Sequence, residues 1–131
     1  MSESVLPPGW VRPSGYANAI IARGRVIALA GQVGWNPRTL QIESTDFVHQ
    51  VRQALRNIVD VLRAAQVTPA EVVRLTWYIT DRDAYQRNLA EIGRAYREVF
   101  GSHYPAMTLV IVAGLLEPAA KIEIEATAVV P

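Results

Sequence analysis

A long apolar stripe in the first half of the chain most constrains its fold. The members of the stripe recur at three- and four-residue spacing, and they are Val48, Val51, Leu55, Ile58, Val59 and Leu62. Such a stripe covers one side of an α-helix of about 20 residues. Ser44 or Thr45 can provide the N-cap of this helix, with Asp46 in its first turn. Because one side is apolar, the helix has to pack that side against another layer of structure.

Stretches rich in β-branched and aromatic residues supply that layer. Residues 16–32 (YANAIIARGRVIALAGQ) indicate two strands joined as a hairpin, and residues 72–80 (VVRLTWYIT) indicate a third strand. Residues 107–112 (MTLVIV) and 121–128 (KIEIEATA) indicate two more. A second helix is predicted after Asp81 or Asp83, and Gly101 is placed to end it. The predicted order is ββαβαββ, an α+β domain with two helices on one face of a mixed sheet.

The length and composition favour a single domain with an N-terminal arm. The 131 residues are 50% hydrophobic, which is enough for one core and short for two. Residues 1–15 are rich in proline and glycine, a composition that resists regular structure and predicts an extended arm or a frayed end. Residues 16–131 are then the folded domain.

The face of the sheet without helices is expected to meet other copies of the chain. Two helices cover one face of the sheet. If the other face met water, the strands should alternate between apolar residues toward the helices and polar residues toward the water. Only residues 121–128 alternate clearly, whereas residues 107–112 are apolar on both faces. Because a large apolar surface left in water promotes aggregation, we predict a homo-oligomer.

Charge and residue usage exclude several classes of function. Thirteen Lys and Arg against 12 Asp and Glu give a net charge of +1, with no basic run to bind nucleic acid. The chain has no cysteine, its two histidines are not spaced as a metal pair, and no apolar run is long enough to span a membrane. We therefore expect a cytoplasmic protein without metal, cofactor, nucleic acid or membrane as partner.

Several motifs together resemble the Rid family, also called YjgF or endoribonuclease L-PSP. They are SGY at 14–16, AGQVGWNP at 30–37, LTWYITD at 75–81, YPA at 104–106 and KIEIEA at 121–126. The resemblance implies a chorismate-mutase-like fold, a homotrimer with a central barrel, and ligands in clefts between subunits. It also implies hydrolysis of enamines or imines of small metabolites.

The resemblance assigns roles to individual residues. Glu123 matches the glutamate that positions or activates water, whereas Glu125 is expected to be a solvated or ion-paired strand residue. Tyr16 matches a tyrosine of the cleft, and Ala30 with Gly31 matches a small pair where the backbone approaches the ligand.

Three positions depart from the family pattern. Met107 stands where the signature PAR has the arginine that grips the substrate carboxylate, Gly93 stands where some members have an asparagine, and Ala30 stands where a serine is common. Gly93 could make room for a bulky group or merely permit close helix packing. Met107, Trp35 and Tyr104 would line a pocket suited to an apolar or aromatic ligand. Any substrate carboxylate would need another partner, such as Arg12, Arg38 or Arg94.

Two functions follow. The first is a divergent deaminase acting on an enamine or imine that resembles 2-aminoacrylate or 2-aminomuconate, with Glu123 and a water moving the protons. The alternative is a non-catalytic trimer that binds a small molecule or has a regulatory role. RNA cleavage, suggested by the older family name, has neither a basic patch nor an evident acid-base pair to support it.

Overall fold

The computed structural model describes residues 2–131, which form six strands and three α-helices. In chain order these elements are β1 (Ser2–Val5), β2 (Ala19–Ala22), β3 (Arg25–Val33), α1 (Phe47–Ala64), β4 (Val72–Ile79), α2 (Arg82–Arg87), α3 (Leu89–Phe100), β5 (Ala106–Ile111) and β6 (Ile122–Val130). A short 3-10 turn, Pro69–Glu71, leads into β4.

The main sheet has four strands in the order β3-β6-β4-β5. Strand β4 runs parallel to β5, and the other neighbours are antiparallel. Strands β1 and β2 form a separate antiparallel pair. The predicted α+β class with a mixed sheet and two main helices is therefore confirmed.

The core lies between the main sheet and helices α1 and α3. Along β6, Ile122, Ile124, Ala126 and Ala128 are buried, and the residues between them are only half-buried. Because side chains alternate between the two faces of a strand, this pattern identifies the helix-covered face. Glu123 and Glu125 belong to the opposite face, which carries no helix.

Part of the predicted N-terminal arm is a regular strand, although its composition was expected to resist regular structure. Residues Ser2–Val5 form a regular strand whose partner is β2. The predicted hairpin within residues 16–32 is also wrong, because β3 pairs with β6. At Gly24, φ is 143°, and an added Cβ would lie 1.9 Å from the carbonyl oxygen of Val130. The turn after β2 is thus packed against the end of β6, and β1 takes the place of β3 as the partner of β2.

The helices also depart from prediction in detail. Asp46 is the N-cap of α1, because its carboxylate accepts a hydrogen bond of 2.9 Å from the backbone N–H of His49. The second helix is interrupted at Asn88, whose φ of −118° and ψ of 22° end α2. The Asn88 side chain donates to the carbonyl of Ala84 at 2.7 Å.

Candidate functional site

The Glu123 carboxylate lies directly over the backbone of Gly31. Strand β3 shifts register against β6 between Leu29 and Gln32, so Gly31 sits at an irregularity of the ladder. A Cβ added to Gly31 would lie 2.0 Å from Glu123 Oε2. Glycine at this position therefore makes room for the carboxylate, as a close approach of backbone to a functional group requires.

These two residues belong to an open cavity of about 350 Å³, the Glu123 cleft. Its lining combines apolar residues with two acids, namely Gly31, Val33, Trp35, Leu116, Glu117 and Glu123. Leu116 is fully exposed in the single chain. Together with Val33 and Trp35, this leucine gives the cleft an apolar wall beside its two acids.

Two buried amides of α1 fix the walls of the Glu123 cleft. The Asn57 side chain donates to the carbonyl oxygens of Val33 and Trp35 at 3.0 and 2.9 Å. The Gln50 side chain donates to the carbonyl of Ala119 at 3.2 Å and accepts from the N–H of Lys121 at 2.8 Å. Both amides are almost fully buried, so these bonds hold the cleft segments on the helix.

Tyr78 joins the acids on the helix-free face. Tyr78 is the cross-strand partner of Glu123, and its hydroxyl donates to the Glu125 carboxylate. This hydrogen bond, with burial and the charges of Glu125 and Glu123, raises the pKa of Tyr78 above its usual 10.0. Glu125 is therefore a hydrogen-bonded group and not merely a solvated one. Sequence reasoning missed Tyr78, although alternation along β4 places it on this face.

A second cavity, of about 110 Å³, lies on the helix-covered side and is called the aromatic cavity. Its lining is aromatic and aliphatic with two glycines, namely Gly15, Trp77, Tyr85, Leu89, Ile92, Gly93, Tyr96, Tyr104 and Met107. The rings of Tyr96 and Tyr104 stack with centroids 5.1 Å apart. Within residues 2–131, the buried Trp77 Nε1 has no hydrogen-bond partner.

Gly93 opens one wall of the aromatic cavity. A Cβ added there would meet just the end of the flexible Arg97 side chain, at 3.3 Å. Close packing of helices is therefore not the reason for glycine at this position. The missing side chain leaves space in the cavity.

A third cavity, of about 160 Å³, is the Arg12 cavity. It lies between β1 and the segment before β2, and is lined by Ser4, Val5, Leu6, Arg12, Pro13, Tyr16, Ala17, Asn18 and Tyr104. The N–H of Ala17 donates to the carbonyl of Pro105 at 3.0 Å, which ties this segment to the start of β5. Tyr104 lines both the Arg12 cavity and the aromatic cavity.

The structure divides the residues predicted from the sequence among these cavities. Gly31, Trp35 and Glu123 share the Glu123 cleft. Met107 and Tyr104 line the aromatic cavity, and Tyr16 lines the Arg12 cavity together with Tyr104. Ala30 is exposed and lines none of the three cavities. A single chain thus holds the acid in one cavity and the Met107 position in another.

Residues 2–131 were compared with the requirements of a metal site and of a membrane-spanning helix. No group of three His, Asp or Glu side chains in this range could hold a metal ion. No helix there is long and apolar enough to cross a membrane.

Comparisons with known proteins identify the family. The model of the family described as Endoribonuclease L-PSP matches residues 11–130. The chain is 33% identical over 128 residues to a RutC family protein of Pyrococcus horikoshii, with 98% of each covered. It is 31% identical over 122 residues to human 2-iminobutanoate/2-iminopropanoate deaminase, covering 93% of this chain and 83% of the relative.

A solved structure agrees with these sequence matches. The Rid family protein YyfB of Yersinia pestis superposes with a TM-score of 0.85 at 34% identity, and 98% of each chain is covered. The chain therefore belongs to the Endoribonuclease L-PSP family, which is the Rid family.

Proposed function

We propose that this protein is a divergent Rid-family deaminase that hydrolyses an enamine or imine of a small metabolite. The observation that carries the proposal is the Glu123 carboxylate held over Gly31 in an open cleft. Relatives named 2-iminobutanoate/2-iminopropanoate deaminase, at about a third identity over most of the chain, support it. Cytoplasmic action is part of the proposal.

The chemistry needs one group to move a proton and a positioned water. Glu123 accepts a proton from the water as its oxygen adds to the carbon of the C=N bond. The proton is delivered to the imine nitrogen, which gives a carbinolamine. A second proton then moves from the carbinolamine hydroxyl to the nitrogen as the C–N bond breaks, so that ammonia leaves and the hydroxyl oxygen becomes the carbonyl of the product. An enamine first becomes the imine by taking a proton on its β-carbon and losing one from its nitrogen. No redox partner or metal is required by this sequence of steps.

A homotrimer would complete the site. Glu123 lies on the helix-free face, whereas Met107 pairs with Leu75, which is buried on the helix-covered face. A second copy that brings its aromatic cavity against the Glu123 cleft would unite the two halves. The exposed side chains of Leu116, at the cleft, and of Val26 and Val110, elsewhere on the sheet, support burial against other copies.

The departure at Met107 makes a change of substrate part of the proposal. Methionine offers no charge for a carboxylate and lies among aromatic side chains in the aromatic cavity. Such a lining favours a substrate with an apolar part over the smallest 2-imino acids, whereas a 2-aminomuconate-like compound would also need a cation for its second carboxylate. If Met107 instead marks the loss of catalysis, the protein is the non-catalytic binder of the same fold.

Ammonia release tests the proposal. Imines would be generated in situ by an amino-acid oxidase from alanine, 2-aminobutyrate, leucine and phenylalanine, and 2-aminomuconate would be supplied separately. We expect acceleration with at least one of them, and a loss of about 100-fold or more in Glu123→Gln. Glu91→Gln, on the exposed side of α3, is the matched control and should retain wild-type activity. No acceleration with any substrate would favour the binder, and sedimentation as a monomer would remove the composite site.

A further inference from the structure

Arg12 lies where a carboxylate of a ligand could be bound. It lines the Arg12 cavity beside Tyr16 and Tyr104. Within residues 2–131, the ion pairs are Arg52 with Glu98 and Arg63 with Asp60, so the Arg12 guanidinium has no acidic partner. It is exposed and free to form the paired, charge-assisted hydrogen bonds that arginine offers a carboxylate.

The other arginines considered as anchors are placed differently. Arg38 is exposed in the loop after β3, and Arg94 is exposed on α3. Neither lines the Glu123 cleft, the aromatic cavity or the Arg12 cavity. Of the three candidates, Arg12 is therefore the one that shares a cavity with Tyr104.

Tyr104 borders both the Arg12 cavity and the aromatic cavity, so the two cavities are adjacent. One side of its environment is the Arg12 cavity, and the other is the aromatic cavity with Trp77, Ile92 and Met107. The aromatic cavity, about 110 Å³, approaches the roughly 150 Å³ of an apolar protein cavity that binds benzene. Its volume and lining suit a phenyl ring or a branched aliphatic group.

We propose that Arg12 replaces the family arginine as the carboxylate anchor, and that the aromatic cavity takes the apolar side chain of the same ligand. The ligand class is a 2-imino acid, with its 2-oxo acid product, bearing an aromatic or branched aliphatic side chain. This inference rests on the proposed function, because it takes the bound ligand to be the substrate or product of the deaminase. Binding can nevertheless be measured without catalysis.

Calorimetry with 3-phenylpyruvate and pyruvate tests the inference on the purified oligomer. Wild type should bind 3-phenylpyruvate more tightly than pyruvate. Arg12→Gln should weaken 3-phenylpyruvate binding by about 10- to 100-fold, because it loses hydrogen bonds to a charged group. Arg94→Gln is the matched control and should bind as wild type. Gly93→Leu fills the aromatic cavity without a helix breaker, so it should abolish the preference for the phenyl compound.

Several outcomes would overturn the inference. They are wild-type affinity in Arg12→Gln, no binding of 3-phenylpyruvate by wild type, or equal affinity of wild type for the two acids. Failure of catalysis is a separate result. If no imine is hydrolysed but binding of 3-phenylpyruvate depends on Arg12, the proposed deaminase is wrong and the ligand class stands. If imines are hydrolysed equally well by Arg12→Gln and wild type, the anchor is wrong and the deaminase stands.

Discussion

A methyl group at Gly31 would occupy the space of the Glu123 carboxylate. The added Cβ would lie 2.0 Å from Oε2, and real Cβ contacts do not fall below 3.0 Å. The carboxylate must therefore retreat by about 1 Å or more, which its flexible side chain allows. A displacement of about 1 Å at a reacting group can cost 100-fold in rate. We predict that Gly31→Ala lowers kcat/KM by about 100-fold, equivalent to about 2.7 kcal/mol.

The stability of the Gly31→Ala variant should change little. An off-rotamer side chain costs about 0.5 to 1.5 kcal/mol, and alanine restricts the unfolded chain by about 0.4 to 1 kcal/mol in the opposite direction. The free energy of unfolding should thus stay within about 1 kcal/mol of wild type. Gly34→Ala provides the contrast, because its Cβ would lie 2.4 Å from the backbone oxygen of Gln50 in α1. Overpacking against helix backbone costs about 1 to 3 kcal/mol.

Two measurements separate the outcomes. Ammonia release gives kcat/KM, and urea unfolding gives stability for Gly31→Ala, Gly34→Ala and the control Gly114→Ala, whose added Cβ meets nothing within 4 Å. A Gly31→Ala enzyme with wild-type kcat/KM would refute the role of the Glu123 position. A large loss of stability in the same variant would show that the carboxylate cannot move as argued.

Three further predictions concern stability, pH and specificity. Asn57→Ala removes the hydrogen-bond donor of the Val33 and Trp35 carbonyls. The free energy of unfolding, measured by urea titration, should fall by about 2 to 4 kcal/mol. Burial raises the pKa of Tyr96 above its usual 10. The neutral Tyr96 side chain therefore stabilises the fold fully below pH 10, and this stabilisation falls as pH rises above 10. Tyr96→Phe should accordingly show a smaller decrease of Tm at alkaline pH than wild type. Met107→Arg should increase ammonia release from 2-iminopropanoate, and a folded variant that remains inert would show that other departures also matter.

The sequence predicted those features that depend on local periodicity. Helix α1 follows from its apolar stripe, and the strand character of β4 and β6 follows from their residue types. Strand pairing depends on distant parts of the chain, so the pairing of β2 with β1 was not visible. The break at Asn88 was missed because the residues from Tyr85 to Phe100 keep one apolar face through it.

The candidate site was predictable as a set of residues but not as an arrangement. Motif resemblance selected Glu123 and Gly31, and the structure places their atoms in direct contact. Resemblance could not show that Met107 lies on the other side of the sheet from Glu123. It also could not show which of Arg12, Arg38 and Arg94 lines a cavity. Arg12 does so because residues 2–18 fold beside Tyr104.

The departures from the family pattern are not spread evenly over these cavities. Met107 and Gly93 both line the aromatic cavity, whereas Gly31 and Glu123, which match the family pattern by resemblance, line the Glu123 cleft. A general loss of function would be expected to alter both cavities, since neither would be under constraint. Of the three departures, Met107 and Gly93 line the aromatic cavity and Ala30 lines none of the three cavities, so the proposed proton-transfer group keeps its cleft while the cavity beside it changes. This distribution favours a deaminase with a changed substrate over a binder that has lost its chemistry.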